Sequence, residues 1–324
     1  MRPPLAFSDQ LGMRRAIAYM DGGKVVAVSF AAEKLHVLKS RLDALEARGL
    51  DALRDALEEC RDALVARVRA AGDQAKLANA LKRLPRFGAV EAEVRAMLDR
   101  AWEAGTRDAR REVRERRRDF AGAESSFTPR AALRWLRATS FWVSGILGDR
   151  VLADAKGAIL SGLKTGKASS LIAEEVYRAF LPWLGDPDVI RDDEQLAPYR
   201  LETIVRTNTT NAYNHGRLTE ALYPEIARFV KGMRYSAILD ERTTEVCRFL
   251  DGKVFRPSDP DLEALLPPNH FQCRSIIVPI VAGEQVDESE FITPEQVGRA
   301  RGLADAKFLT QASAAWKAYR ERED

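Results

Sequence analysis

Tyr223-Pro-Glu-Ile-Ala-Arg-Phe-Val230-Lys-Gly-Met-Arg-Tyr235-Ser-Ala-Ile-Leu239 is where the character of the chain changes. From about Leu196 to Leu222 the pattern is that of one strong helix, and Pro224 ends it. From Val230 to Leu239 the residues are β-rich. Ser275 to Val281 is a second such run and Lys253 to Phe255 a short third. The expected fold is therefore mostly α, with long amphipathic helices in the N-terminal half and a small α+β C-terminal module. Thr293-Pro294-Glu295-Gln296 has the spacing of a capping box, so the tail to Asp324 is expected to be helical.

Working back from Leu196, the Pro and Asp cluster from Pro182 to Asp193 reads as a long loop, preceded by an amphipathic helix from Ser169 to Phe180. Thr128-Pro129 starts another helical stretch that runs to Leu163. Further back, Val90, Val94, Met97, Leu98 and Trp102 mark the apolar face of a helix over Ala89 to Phe120. Leu35, Leu38, Leu42 and Leu45, then Leu50, Leu53, Leu57 and Leu64, recur every three or four residues. Gly49 lies between the two sets and the leucine spacing restarts there, which favours a break. Cys60 falls beside the second stripe, as a packed thiol does.

The 324 residues are 46% hydrophobic and 31% charged, a globular composition long enough for about two domains. Lys plus Arg is 51 and Asp plus Glu 48, so the net charge of +3 does not announce a nucleic-acid binder. No apolar run reaches the length of a membrane span, and Met1 to Gln10 lacks a signal peptide's basic start and apolar stretch. No membrane partner is expected, and folding in the cytoplasm is. The three cysteines, Cys60, Cys247 and Cys273, are too few for a disulfide framework and favour thiols or metal ligands.

Charge is concentrated locally. Arg107, Arg110, Arg111, Arg114, Arg116, Arg117 and Arg118 face only Asp108, Glu112 and Glu115 in the same stretch. One reading is a helix face that neutralises phosphates of DNA or RNA. The other is a solvated helix with acids and arginines at salt-bridging spacing. Gly162-Leu-Lys-Thr-Gly166-Lys167-Ala168 invites a phosphate-loop reading, but the glycine spacing is one short. Ala168 also stands where a hydroxyl would bind Mg, and a helix precedes it. A helix ended by glycine, then a helix capped by Ser169 or Ser170, fits better.

The densest chemistry lies between Asp240 and Arg274. His270 and Cys273 have a spacing that lets two ligands on a tight turn reach one ion, Cys247 lies on a predicted helix above them, and Asp240 or Asp251 is a fourth candidate. Thiolate and imidazole ligands select zinc, and four protein ligands would make the ion structural. The alternative is that Cys247 is a buried helix thiol, His270 caps a loop and Asp240 N-caps the helix near Arg242. A metal-dependent hydrolase needs an open metal position and a second base that the residues do not supply. Cys247 with His270 as a nucleophile pair lacks an identifiable orienting partner.

Arg206-Thr207-Asn208, Asn214, Gly216-Arg217, Tyr235, Asp240-Glu-Arg-Thr243, Cys247, Leu250-Asp-Gly252, Phe255 and Pro267-Pro-Asn-His270-Phe-Gln-Cys273-Arg274-Ser275 together resemble the phage Mu F-like minor head protein family, the phage head morphogenesis domain. The resemblance covers roughly Gly157 to Ile280. It implies a head morphogenesis module over 156–282, which the helical patterns on either side leave between a helical docking region over 1–155 and a helical tail over 283–324. It also implies a non-enzymatic minor head protein of a tailed bacteriophage or prophage, assembled in the host cytoplasm. In the virion it would sit inside the capsid near the portal and assist assembly, DNA packaging or ejection. The implied partners are the portal protein, the major capsid protein and packaged DNA.

The family pattern strengthens a shared metal role for Asp240, Cys247, His270 and Cys273. Arg206, Asn214 and Arg217 lie close to one helix face and are expected to bond back onto the loop from Pro267 to Arg274. Arg242 and Arg274 are expected on Asp240 or Asp251. All would then be fold-fixing residues.

Overall fold

Leucine periodicity, helix stops at proline and β-branched runs place the elements of the chain, whose computed structural model describes residues 19–21, 24–26, 30–71, 76–77, 88–116, 151, 153–184, 198–257 and 259–304. In chain order these form the strand pair β1 (Tyr19–Asp21) and β2 (Lys24–Val26), then helices α1 (Phe30–Ala70), α2 (Gly88–Arg116), α3 (residues 153–164), α4 (Ser169–Leu184) and α5 (Pro198–Ala221). After them come α6 (Pro224–Ala227), β3 (Val230–Ser236), α7 (Glu245–Leu250), β4 (Val254–Phe255), α8 (Pro260–Ala264), β5 (Ile276–Val281), a 3-10 turn (Glu288–Glu290) and α9 (Pro294–Leu303). The protein is mostly helical, with one small three-stranded antiparallel sheet in its C-terminal part. No described helix is long and apolar enough to cross a membrane.

The described residues fall into two compact units. One contains those within Met1–Leu45, Asp99–Leu133 and Thr209–Ala314, the other those within Glu46–Leu98, Arg134–Asn208 and Ala315–Asp324. In the second unit, Leu53, Leu57, Leu64 and Val68 repeat on one face of α1 and are buried, as are Val90, Val94, Met97 and Leu98 of α2. Gly49 does not break α1, contrary to the sequence expectation. A Cβ there would lie 2.8 Å from the Met97 side chain, so the glycine makes room for that side chain within an unbroken helix. Helix α4 runs on through Pro182 to Leu184, where a loop was expected. Leu181, Trp183 and Leu184 are buried, and Trp183 Nε1 donates to Asp154 Oδ2 at 3.2 Å, so packing outweighs the hydrogen bond that Pro182 cannot make.

Helix α3 ends on Gly166, which has φ 65°. Lys167 N donates to Gly162 O and Gly166 N to Leu163 O, the paired bonds that close a helix on a left-handed glycine. Lys167 is ion-paired with Glu175. Ala168, rather than a serine, stands at the cap position of α4, whose first residues are Ser169 and Ser170. Gly162 to Lys167 is thus a helix stop.

In the first unit β3 is the central strand, with order β4-β3-β5 and antiparallel pairing throughout. Met233 pairs with Phe255 and with Pro279, and Ser236 with Ile276; the β3–β5 register shifts between Val230 and Gly232. Met233, Tyr235, Val246, Leu250, Phe255, Ile277 and Val281 form one buried cluster with Leu218 of α5 and Val297 of α9. Thr293 Oγ1 accepts from Gln296 N and Gln296 returns a bond to Thr293 N, the capping box expected at the start of α9. The helical tail predicted beyond residue 304, and the helix predicted from Thr128, lie outside the described residues, apart from 151 and 153–164.

Within this unit α2 and α5 cross almost backbone to backbone. A Cβ on Gly105 would lie 2.0 Å from Tyr213 O, and one on Gly216 2.1 Å from Trp102 O. The close crossing lets acids on α2 meet a buried arginine on α5. Arg217, fully buried, donates to both oxygens of Glu112 at 2.9 and 2.8 Å. Tyr213 OH donates to Asp108 Oδ2 at 2.7 Å, and Arg41 pairs with Oδ1 of the same carboxylate.

Candidate metal centre

Cys247 sits on α7, a helix of six residues whose approach is fixed by side chains. Asp240 Oδ1 accepts from Arg242 N at 3.0 Å, Arg248 donates to the carbonyls of Asp240 and Thr243, and Asp251 Oδ1 accepts from Ala237 N at 3.0 Å. Asp240 is not the N-cap of α7. That place belongs to Thr244, and Asp240 organises the turn just before it.

Opposite α7, the chain leaves α8 through a cis Pro267-Pro268 bond. Asn269, buried, donates to Leu265 O at 3.0 Å and to Tyr235 OH at 3.2 Å. Gln272 adopts a left-handed φ of 57°. This turn presents His270 and Cys273 to the same place. Cys247 Sγ is 3.1 Å from His270 Nε2 and 3.8 Å from Cys273 Sγ, and the ligand atoms of the three residues lie within 4.8 Å of one another. The Tyr235 hydroxyl is 3.3 Å from Cys247 Sγ, and His270 Nδ1 is 2.7 Å from Phe271 O.

Helix α5 holds the loop from behind. Thr210 Oγ1 donates to Cys273 O at 3.0 Å. The Asn214 side chain acts as a strand edge, donating to Ser275 O at 3.1 Å and accepting from Ile277 N at 2.9 Å, and Arg217 Nε donates to Ile277 O. Asn214 and Arg217 were expected on the loop from Pro267 to Arg274, but their partners, Ser275 and Ile277, lie beyond it at the entry to β5. Arg206 differs, since its partners are Glu46 and Glu202.

The two thiols are electrostatically unequal. The hydrogen bond from Cys273 and then the neighbouring His270 lower the pKa of Cys247 despite its burial, whereas burial and the proximity of Cys247 raise that of Cys273. A Cys–His nucleophile has the orienting carbonyl that the sequence did not reveal, Phe271 O. Yet Cys247 is only 2% exposed and its sulfur already has Tyr235, His270 and Cys273 around it, which leaves no face for a substrate carbonyl.

Asp240 does not join the cluster. Its carboxylate is gripped by Arg274 through two bonds of 2.7 and 2.6 Å, which together with Thr243 and Arg242 N hold its pKa down at about 2. Asp251 is occupied by Ala237 N.

Three arginines of the arginine-rich stretch are paired within the chain. Arg110 pairs with Glu220, Arg111 with Asp108 and Glu115, and Arg116 donates to Pro279 O at 2.6 Å and pairs with Glu284 at 3.2 Å. Arg107 and Arg114 are exposed, while Arg117 and Arg118 lie outside the described residues. Asp108 and Glu112, which sequence reasoning counted as surface acids, are 4% and 2% exposed. Their i, i+4 spacing was the available signal, but their partners are about a hundred residues away in the chain.

Residues 154–278 match the family described as Phage Mu protein F like protein. The Mu-like prophage FluMu F protein of Haemophilus influenzae is 34% identical over 128 residues, 39% of this chain and 30% of that protein. The matched stretch thus spans less than a third of that relative. No solved structure matches the chain. Because α5, α7 and the His270 to Cys273 turn all fall inside 154–278, the segment that builds this centre is the one that matches the Phage Mu protein F like family.

Proposed function

We propose that the chain is a minor structural head protein of a tailed phage or prophage, which docks at the portal or inner capsid and assists head assembly, DNA packaging or ejection. The observation that carries this reading is the Mu F-like match over 154–278. The use of that segment's polar residues supports it. Thr210, Asn214, Arg217, Asp240, Asp251 and Arg274 are all engaged in internal bonds, an arrangement that suits a rigid assembly module.

Portal protein and major capsid protein are the partners of this reading, first in the host cytoplasm and then in the capsid interior near the portal. Packaged DNA is a weaker partner, because Arg110, Arg111 and Arg116 are committed to carboxylates or carbonyls of the chain itself. The test is co-purification of the full chain with the portal protein of the same genome, with and without nuclease and at raised salt. A complex that survives both treatments is expected. Association that vanishes with nuclease or salt would make DNA the partner and overturn portal docking.

A further inference from the structure

Two sulfurs and one imidazole nitrogen converge in a mostly buried place between α7 and the turn before β5. A tetrahedral zinc ion with zinc–sulfur bonds of about 2.3 Å has a sulfur–sulfur edge of about 3.8 Å. The Cys247 and Cys273 sulfurs are 3.8 Å apart. A disulfide requires about 2.05 Å, so the two thiols are not bonded, and their separation is one that two ligands on one ion can take without moving.

The imidazole is set for the same task. Phe271 O can only accept, so Nδ1 carries the hydrogen that it receives and the Nε2 lone pair of the neutral ring faces Cys247 Sγ. Metal-bound histidines are held in this way, with the distal nitrogen on a carbonyl. Tyr235, itself positioned by Asn269, places its hydroxyl 3.3 Å from the Cys247 sulfur. Two thiolates with one Zn²⁺ are neutral overall, which suits a buried position better than a lone thiolate does.

We propose that Cys247, His270 and Cys273 bind one zinc ion, which staples α7 to the turn leading into β5. Binding releases one proton from each thiol to solvent and leaves the ion divalent. Asp240 is not a ligand, because Arg274 holds it, and among the described residues no other His, Cys, Asp or Glu joins the group. The site is independent of portal docking, and failure of either leaves the other standing.

The test uses the full chain, purified with reductant, stripped by chelator and titrated with zinc alone, with metal content read by elemental mass spectrometry. One zinc per chain is expected, with a melting temperature that falls by about 10 °C on stripping and returns on adding zinc. Cobalt in place of zinc should show a thiolate charge-transfer band. Cys60→Ser, which alters the thiol outside the cluster, should keep full stoichiometry, whereas His270→Ala and Cys273→Ser should lose it. Should those variants fail to fold, the cobalt spectrum of the unaltered chain decides. Metal content near zero after titration with an unchanged melt, or a cobalt spectrum without the thiolate band, would overturn the proposal.

Discussion

Replacing Gly105 or Gly216 with alanine is expected to lower the melting temperature by roughly 10 °C or more, or to leave the chain insoluble. The added methyl would meet Tyr213 O at 2.0 Å in one case and Trp102 O at 2.1 Å in the other. Both obstacles are backbone carbonyls inside helices, so a rotamer change cannot relieve them. One helix must move away from the other, and that movement would pull Arg217 off Glu112 and Tyr213 off Asp108. Overpacking a core commonly costs about 1–3 kcal/mol, and a clash with two rigid backbones belongs at or above the top of that range. Gly49→Ala is the internal control, because its obstacle is the flexible end of Met97 and alanine favours the helix. Thermal melts followed by circular dichroism would separate the two kinds of glycine. Equal, small shifts at Gly49, Gly105 and Gly216 would contradict the close crossing.

Arg217→Met is expected to cost about 3–5 kcal/mol, the scale for breaking one side of a buried ion pair. The guanidinium is fully buried and makes four bonds, two to Glu112, one to Ile277 O and one to Tyr213 OH. Burial works against its charge, yet Glu112 and Tyr213 carry its pKa above the ordinary arginine value. With the arginine gone, a Glu112 side chain only 3% exposed is left without its counter-charge, and β5 loses a support beside the Cys and His turn. Pairing Arg217→Met with Glu112→Leu should recover much of the loss, since the remaining cost is then packing rather than an isolated charge. Urea midpoints of the two single variants and the double variant read this directly. A double variant that loses the sum of the single losses would show that the pair does not act as a unit.

Much of this architecture was legible because local signals and global packing agree. The α5 boundary, the three strands of the sheet and the capping box at Thr293 follow from proline, β-branched runs and side-chain spacing. Spacing made Cys247, His270 and Cys273 candidates for one group, and the structure brings their ligand atoms within 4.8 Å of one another. What local reading could not deliver is whatever depends on a distant partner. Gly49 looks like a helix break until Met97 is seen against it. Pro182 looks like a helix end until the burial of Trp183 and Leu184 is known. Asp108 and Glu112 look like the solvated balance to a row of arginines, and become the buried counter-charges of α5 only when the helices cross. β1 and β2, three residues each, are too short to display a strand period at all.

The Asp240 result has the same origin. Its position in a dense group of ligand-type residues suggests a metal, but Arg274 outcompetes that role through two short bonds, which leaves the cluster with three protein ligands. The arginine-rich helix shows the converse. High local charge there serves the fold through Glu220, Glu284 and Pro279 O.

The most direct test of the head-protein account is quantitative mass spectrometry of purified heads produced by the phage or prophage that encodes the chain. A fixed, small number of copies per head, retained after nuclease and salt washes, is the result the account predicts. Heads that assemble fully and contain none of the chain would contradict it.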